Sequence, residues 1–113
     1  MDIREVSLGE IDVPKLKVNG HIFELNMSDY EVMTMSNALQ KKYKDLGSTT
    51  DRDVILGAVK EVVDGIDKIL GEGAVAKISN GKPVSIATAM RWLRVITQEA
   101  MEVYADELAR SYE

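Results

Sequence analysis

From residue 28 onward the apolar positions recur at spacings of three and four, the signature of helices that each bury one face. In "NMSDYEVMTMSNALQKKYKDLG", Val32, Met35, Leu39, Tyr43 and Leu46 form such a stripe. Ser28 and Glu31 make the S-x-x-E capping box, with Met27 and Val32 at the hydrophobic staple positions. Gly47 is a natural C-terminal stop. A second stripe in "STTDRDVILGAVKEVVDGIDKILG" comprises Ile55, Ala58, Val59, Val62, Ile66 and Ile69. Thr50 is the expected cap, and Asp51 and Asp53 favour the positive end of the helix dipole. Gly65 lies at the margin of this stripe and would admit a close helix neighbour. Gly57 falls on the polar side, where glycine costs about 1 kcal/mol of helix propensity relative to alanine. "EGAVAKI" allows one or two helical turns, ended by Asn80-Gly81, and Pro83 blocks continuation. Ser85 then caps the longest stripe: Ile86, Ala89, Met90, Leu93, Ile96, Thr97, Ala100, Tyr104 and Leu108.

Ahead of the helices, "IDVPKLKVNGHIFEL" has a different rhythm. Asn-Gly suits a type I′ turn, which needs positive φ at both central residues. The segment is therefore expected to form a β-hairpin carrying Val13, Leu16 or Val18, then Ile22 and Leu25. Pro14 cannot donate to a ladder and belongs at an edge or strand start. A lone hairpin is marginal in water and must pack on helices or on a second chain. The expected architecture is mainly α with a short N-terminal β-hairpin (α+β): an antiparallel helical bundle with a long C-terminal helix. Residues 1–113 read as one domain, divided into a flexible arm (1–10), the hairpin (11–26) and the bundle (27–113).

Composition narrows the function classes. Hydrophobic residues make up 45% and aromatics only 5%, so the core rests on aliphatic side chains, alanine and six adaptable methionines. The net charge of −5, with bases interspersed among acids, argues against nucleic-acid binding. The absence of cysteine excludes disulfides and thiolate metal sites. "MDIREVSLGE" is neither basic nor apolar enough for a signal peptide, and no apolar run reaches membrane-spanning length. A cytoplasmic protein without membrane association is expected.

The stretch "LGEGAVAKISNGKPVS" invites a phosphate-binding reading, because it holds three glycines and Gly81-Lys82. A Walker loop requires G-x-x-x-x-G-K-[ST] between a strand and a helix. Here Pro83 follows the lysine, and Gly71 ends a helix. The dinucleotide fingerprint lacks its third glycine and its strand. The glycines read as a joint between helices. His21, the single histidine, has no convergent partners at ligand spacing. The pair Asp51 and Asp53 is accounted for by the helix dipole, and Asp64 and Asp67 by a solvated face near Lys60 and Lys68. No catalytic, cofactor or metal site is expected, and the chain is not read as an enzyme.

The flank of the last helix carries more information. With Leu93 at the centre of the buried face, Trp92, Ile96, Glu99 and Val103 form a second seam, and Val95 lies further round. This apolar arc is wider than one packing partner requires. Trp92 either covers the hairpin within the chain or, with Val95 and Val103, contacts a partner helix or a second copy.

The order of these segments resembles a known family. "DVILGAVKEVVDGIDKILGEGAVAKISNGKPVSIATAMRWLRVI" is similar to the small tail assembly chaperones of long-tailed bacteriophages and prophages, and "VNGHIFELNMSDYEVMTMSNAL" resembles their hairpin and first helix. The likeness spans roughly residues 12 to 108 and includes no catalytic motif. It implies a non-enzymatic protein of the bacterial host cytoplasm. Such a protein binds the long, helical tape measure protein and keeps it soluble until the tail tube protein polymerises around it. A homo-oligomer is expected as well, from the wide apolar arc of the last helix. The alternative class is a small dimeric regulatory or adaptor protein of phage or bacterial origin.

Overall fold

Three of the four helices among the described residues begin at a side chain that satisfies their first free backbone N–H groups. The computed structural model describes residues 3–9, 13–46 and 49–112. Its elements are β1 (Lys15–Val18), β2 (His21–Glu24), α1 (Asp29–Tyr43), α2 (Arg52–Leu70), α3 (Ala74–Ser79) and α4 (Ile86–Arg110). At α1 the Ser28 hydroxyl accepts from the Glu31 N–H, and the Glu31 carboxylate accepts from the Ser28 N–H, completing the expected box. Ser85 caps α4 by accepting from the Thr88 N–H at 3.1 Å. The cap of α2 is Asp51 rather than Thr50: its carboxylate accepts from the N–H groups of Asp53 and Val54. A carboxylate at the cap both accepts hydrogen bonds and meets the helix dipole, so one side chain does what Thr50 and Asp51 were expected to share. Helix α1 ends at Tyr43; the stop expected at Gly47 lies outside the described residues.

The hairpin turns as its sequence requires. Asn19 and Gly20 have φ of 50° and 84°, both positive. This turn sets Val18 opposite His21 and Leu16 opposite Phe23. Strand alternation then puts Leu16, Val18 and Phe23 on one face, with Leu25 continuing the period. Phe23 and Leu25 are buried, whereas Ile22 is 68% exposed on the outer face. Of the two apolar residues expected after the turn, only Leu25 faces inward, because Ile22 and Leu25 are an odd number of residues apart and cannot share a face. Pro14 precedes β1, and its carbonyl accepts from the Leu25 N–H.

The core joins Phe23 and Leu25 to Val32 and Leu39 of α1, to Val62, Ile66, Ile69 and Leu70 of α2, and to Ala89, Leu93, Ile96 and Ala100 of α4. Helix α4 packs most extensively on α2 and then on α1, so it is the central strut. Its stripe ends early: Tyr104 is half-buried, but Leu108 is 59% exposed, beyond the reach of the other helices. One polar contact crosses this core. The Thr97 hydroxyl donates to the Ser36 hydroxyl at 2.8 Å, and the Gln40 amide donates to the same oxygen at 2.8 Å. At the other end of α4, the Tyr104 hydroxyl donates to the Met27 carbonyl at the entrance of α1. Residues 3–9 add no regular element and are exposed throughout.

Candidate functional site

The glycine-rich joint is fully accounted for by folding. Gly71 (φ 114°), Gly73 (φ 79°), Asn80 (φ 56°) and Gly81 (φ 74°) all take positive φ, which lets the chain leave α2, form α3 and turn toward α4. Gly73 occupies the cap position of α3 without a side chain. The Asp67 carboxylate, projecting from α2, instead accepts from the Val75 N–H at 2.9 Å. An anion is therefore already supplied to this helix end by the chain itself. Asp67 is thus not merely a residue of a solvated face, as its sequence neighbours imply. Lys82 is exposed. Asn26 closes the joint from the hairpin side, donating its backbone N–H to the Ile69 carbonyl at 2.9 Å.

The other candidate groups do not converge. His21 is exposed and lies beside Phe23, with ring centroids 6.2 Å apart. Among the described residues no group of three or more His, Asp or Glu side chains could hold a metal ion. A polar cluster with shifted titration joins α1 to α2: the Glu61 carboxylate accepts from the Tyr43 hydroxyl and from Lys42 at 3.0 Å. The Tyr43 hydrogen bond, then that of Lys42, holds Glu61 below the ordinary carboxylate range. The bond to Glu61, together with burial, raises the Tyr43 phenol. This cluster ties two helices together, and its Tyr43 also borders an open depression of about 310 Å³ shared with Leu46, Ile86, Met90 and Arg94.

The flank of α4 is different. Trp92, Glu99 and Val103 fall within about 40° of one another at 3.6 residues per turn, with Ile96 on the inner side and Val95 on the outer. Trp92 and Val103 are half-buried against the core, Ile96 is buried, and Val95 is 52% exposed. Strand β1 lies beside this flank, and three shallow depressions follow the seam between them. The first, about 200 Å³, is bounded by Val18, Asn19, Ile78, Trp92, Val95 and Ile96. The second adjoins it and reaches Leu16, Lys17 and Glu99. The third lies between Val13, Pro14 and Lys15 on one side and Val103, Glu107 and Arg110 on the other. As numbering rises along α4 it falls along β1, so the strand runs antiparallel to the helix. The three sequence-chosen residues thus lie along one furrow. Trp92 does meet the hairpin within its own chain, while Val95 stays outside the core. The wall formed by Leu16, Val18 and Asn19 was not legible in the sequence, because their pattern does not say on which helix the hairpin lands.

The fold and this surface define a small, mainly helical protein with a β-hairpin and an open furrow, apolar beside Trp92 and Val95 and bordered by Lys15, Glu107 and Arg110 at its far end. No helix among its described residues is long and apolar enough to cross a membrane. The chain belongs to a family of unknown function, DUF6673, whose profile matches residues 19–113. No curated protein and no solved structure matches it.

Proposed function

We propose that the chain is a non-enzymatic tail assembly chaperone of a long-tailed phage or prophage. In this reading it works in the bacterial cytoplasm, binds the helical tape measure protein and keeps it soluble until the tail tube protein assembles. The observation that carries the reading is the furrow on α4: Trp92, Val95 and Val103 offer a strip of apolar surface where an amphipathic helix can lay its own apolar face. The order of segments from Asp51 to Ile96, which resembles the chaperone family, supports it. So does the net charge of −5, which keeps a protein with such a surface soluble.

The proposal expects a very long coding region downstream of the gene, and the test is co-expression of the chain with the protein that region encodes. The long protein is expected to be soluble and to co-purify with the chain, and to precipitate when expressed alone. A long protein that is equally soluble without the chain, or that never co-purifies, contradicts the proposal. The exposed Ile3, Val6 and Leu8 favour self-association, which is also the property a dimeric adaptor would have.

A further inference from the structure

Beside the furrow runs an unpaired strand edge. The two-residue turn makes Val18–His21 and Leu16–Phe23 the hydrogen-bonded pairs of the hairpin, and the Leu25 N–H bonded to Pro14 continues the series. Lys15 and Lys17 therefore direct their N–H and C=O groups to the opposite edge. The sheet has only two strands among the described residues, so nothing there pairs with that edge. β1 is the strand beside α4, and β2 the one beside α3. A third strand added to β1 would consequently lie over the outer flank of α4, along Val95, Glu99 and Val103.

The same chain carries a segment that fits this place and does not occupy it. In residues 3–9, Ile3 is 93%, Val6 66% and Leu8 92% exposed. Val6 and Leu8 are two apart, so in an extended strand both face the same side, and Ser7 faces the other. Seven extended residues reach about 23 Å, and α4 from Trp92 to Glu107 runs about 22 Å. Charges match as well. The first twelve residues hold Asp2, Glu5, Glu10 and Asp12 against Arg4, whereas the strand edge presents Lys15 and Lys17.

We infer that two copies of the chain exchange these arms, each arm pairing with the β1 edge of the other copy and placing Val6 and Leu8 on its α4 flank. Reciprocal exchange covers both furrows, pairs the β1 edge of each copy and closes a twofold dimer. The inference stands independently of the chaperone reading. If both hold, the arm and the tape measure helix compete for one furrow.

The cysteine-free chain makes the test direct. Ser7 and the lysines of β1 share the solvent side of the added strand, where cross-strand Cβ atoms come within about 5 Å. Full-length chains carrying only Ser7→Cys are mixed with chains carrying only Lys15→Cys or only Lys17→Cys, then oxidised. A disulfide-linked dimer of the two different chains is expected with one of the lysine positions, and not with a Lys60→Cys control. The Val6→Asp/Leu8→Asp double variant should keep the helical circular dichroism while its dimer dissociation constant rises at least about a hundredfold. A protein sedimenting as a single chain overturns the inference. So does a Ser7→Cys/Lys17→Cys chain that closes its disulfide only within itself, which would mean that the arm folds onto its own strand. A dimer that survives the double aspartate variant would overturn it too, by locating the contact elsewhere. Tape measure binding retained by the double variant, with dimerisation lost, leaves the chaperone proposal intact.

Discussion

Gly57 and Gly65 occupy one helix and meet opposite surroundings. A Cβ added at Gly57 would touch nothing within 4 Å, whereas one at Gly65 would stand 2.8 Å from Leu39 Cδ1 across the α1–α2 contact. Gly57→Ala should therefore stabilise by up to about 1 kcal/mol through helix propensity. Gly65→Ala should fall short of it by at least about 1 kcal/mol, because Leu39 is buried and must shift; urea melts of the two variants check this. The Ser36 hydroxyl gives a second test at this scale. Ser36→Ala removes the acceptor of the Thr97 and Gln40 hydrogen bonds and should cost about 1–3 kcal/mol. Thr97→Val in the same chain should cost less than it does alone, since both hydroxyls are then gone. Strict additivity in that double-mutant cycle would show that the buried pair contributes no coupling.

Among the elements, the short helix α3 depends most on a single borrowed side chain. Asp67→Ala removes its only side-chain cap and should lower stability by about 1 kcal/mol, while Lys82→Ala should leave melting unchanged. Nucleotide binding that disappears with Lys82→Ala would contradict this account of the joint. The α1–α2 contact adds a pH dependence. The folded carboxyl of Glu61 titrates below its usual 4.5, so its contribution is present above that value and is lost as the pH falls through the lower, folded one. Tyr43 is raised above 10, so its contribution is present below that value and is lost as the pH rises through the higher one. Glu61→Gln should flatten both limbs of the stability profile. Most of the helix pattern was legible in advance, because three- and four-residue spacing and capping side chains act locally. Asp67 and the Ser36–Thr97 pair were not, since their partners are set by how helices pack. Which hairpin face turns inward was not legible either, because it is set by the helices on which the hairpin lands.

At the scale of the whole molecule the chain is elongated, measuring 68 × 30 × 26 Å. Its radius of gyration is 17.5 Å, against about 13 Å for a compact chain of this length. An exposed apolar arm and an open furrow on one chain leave apolar surface that its own core does not cover. The proposed role of the α4 flank is binding rather than core packing, and Val95 separates these roles best because it lies outside the core while lining the furrow. Trp92→Ala removes core contact and binding surface together, so its effects are mixed. The decisive measurement is Val95→Asp, followed by thermal melting and by titration with the tape measure protein. Melting within about 0.5 kcal/mol of the wild type and binding at least about tenfold weaker are predicted. Unchanged binding, or a loss that merely tracks unfolding, would contradict the claim.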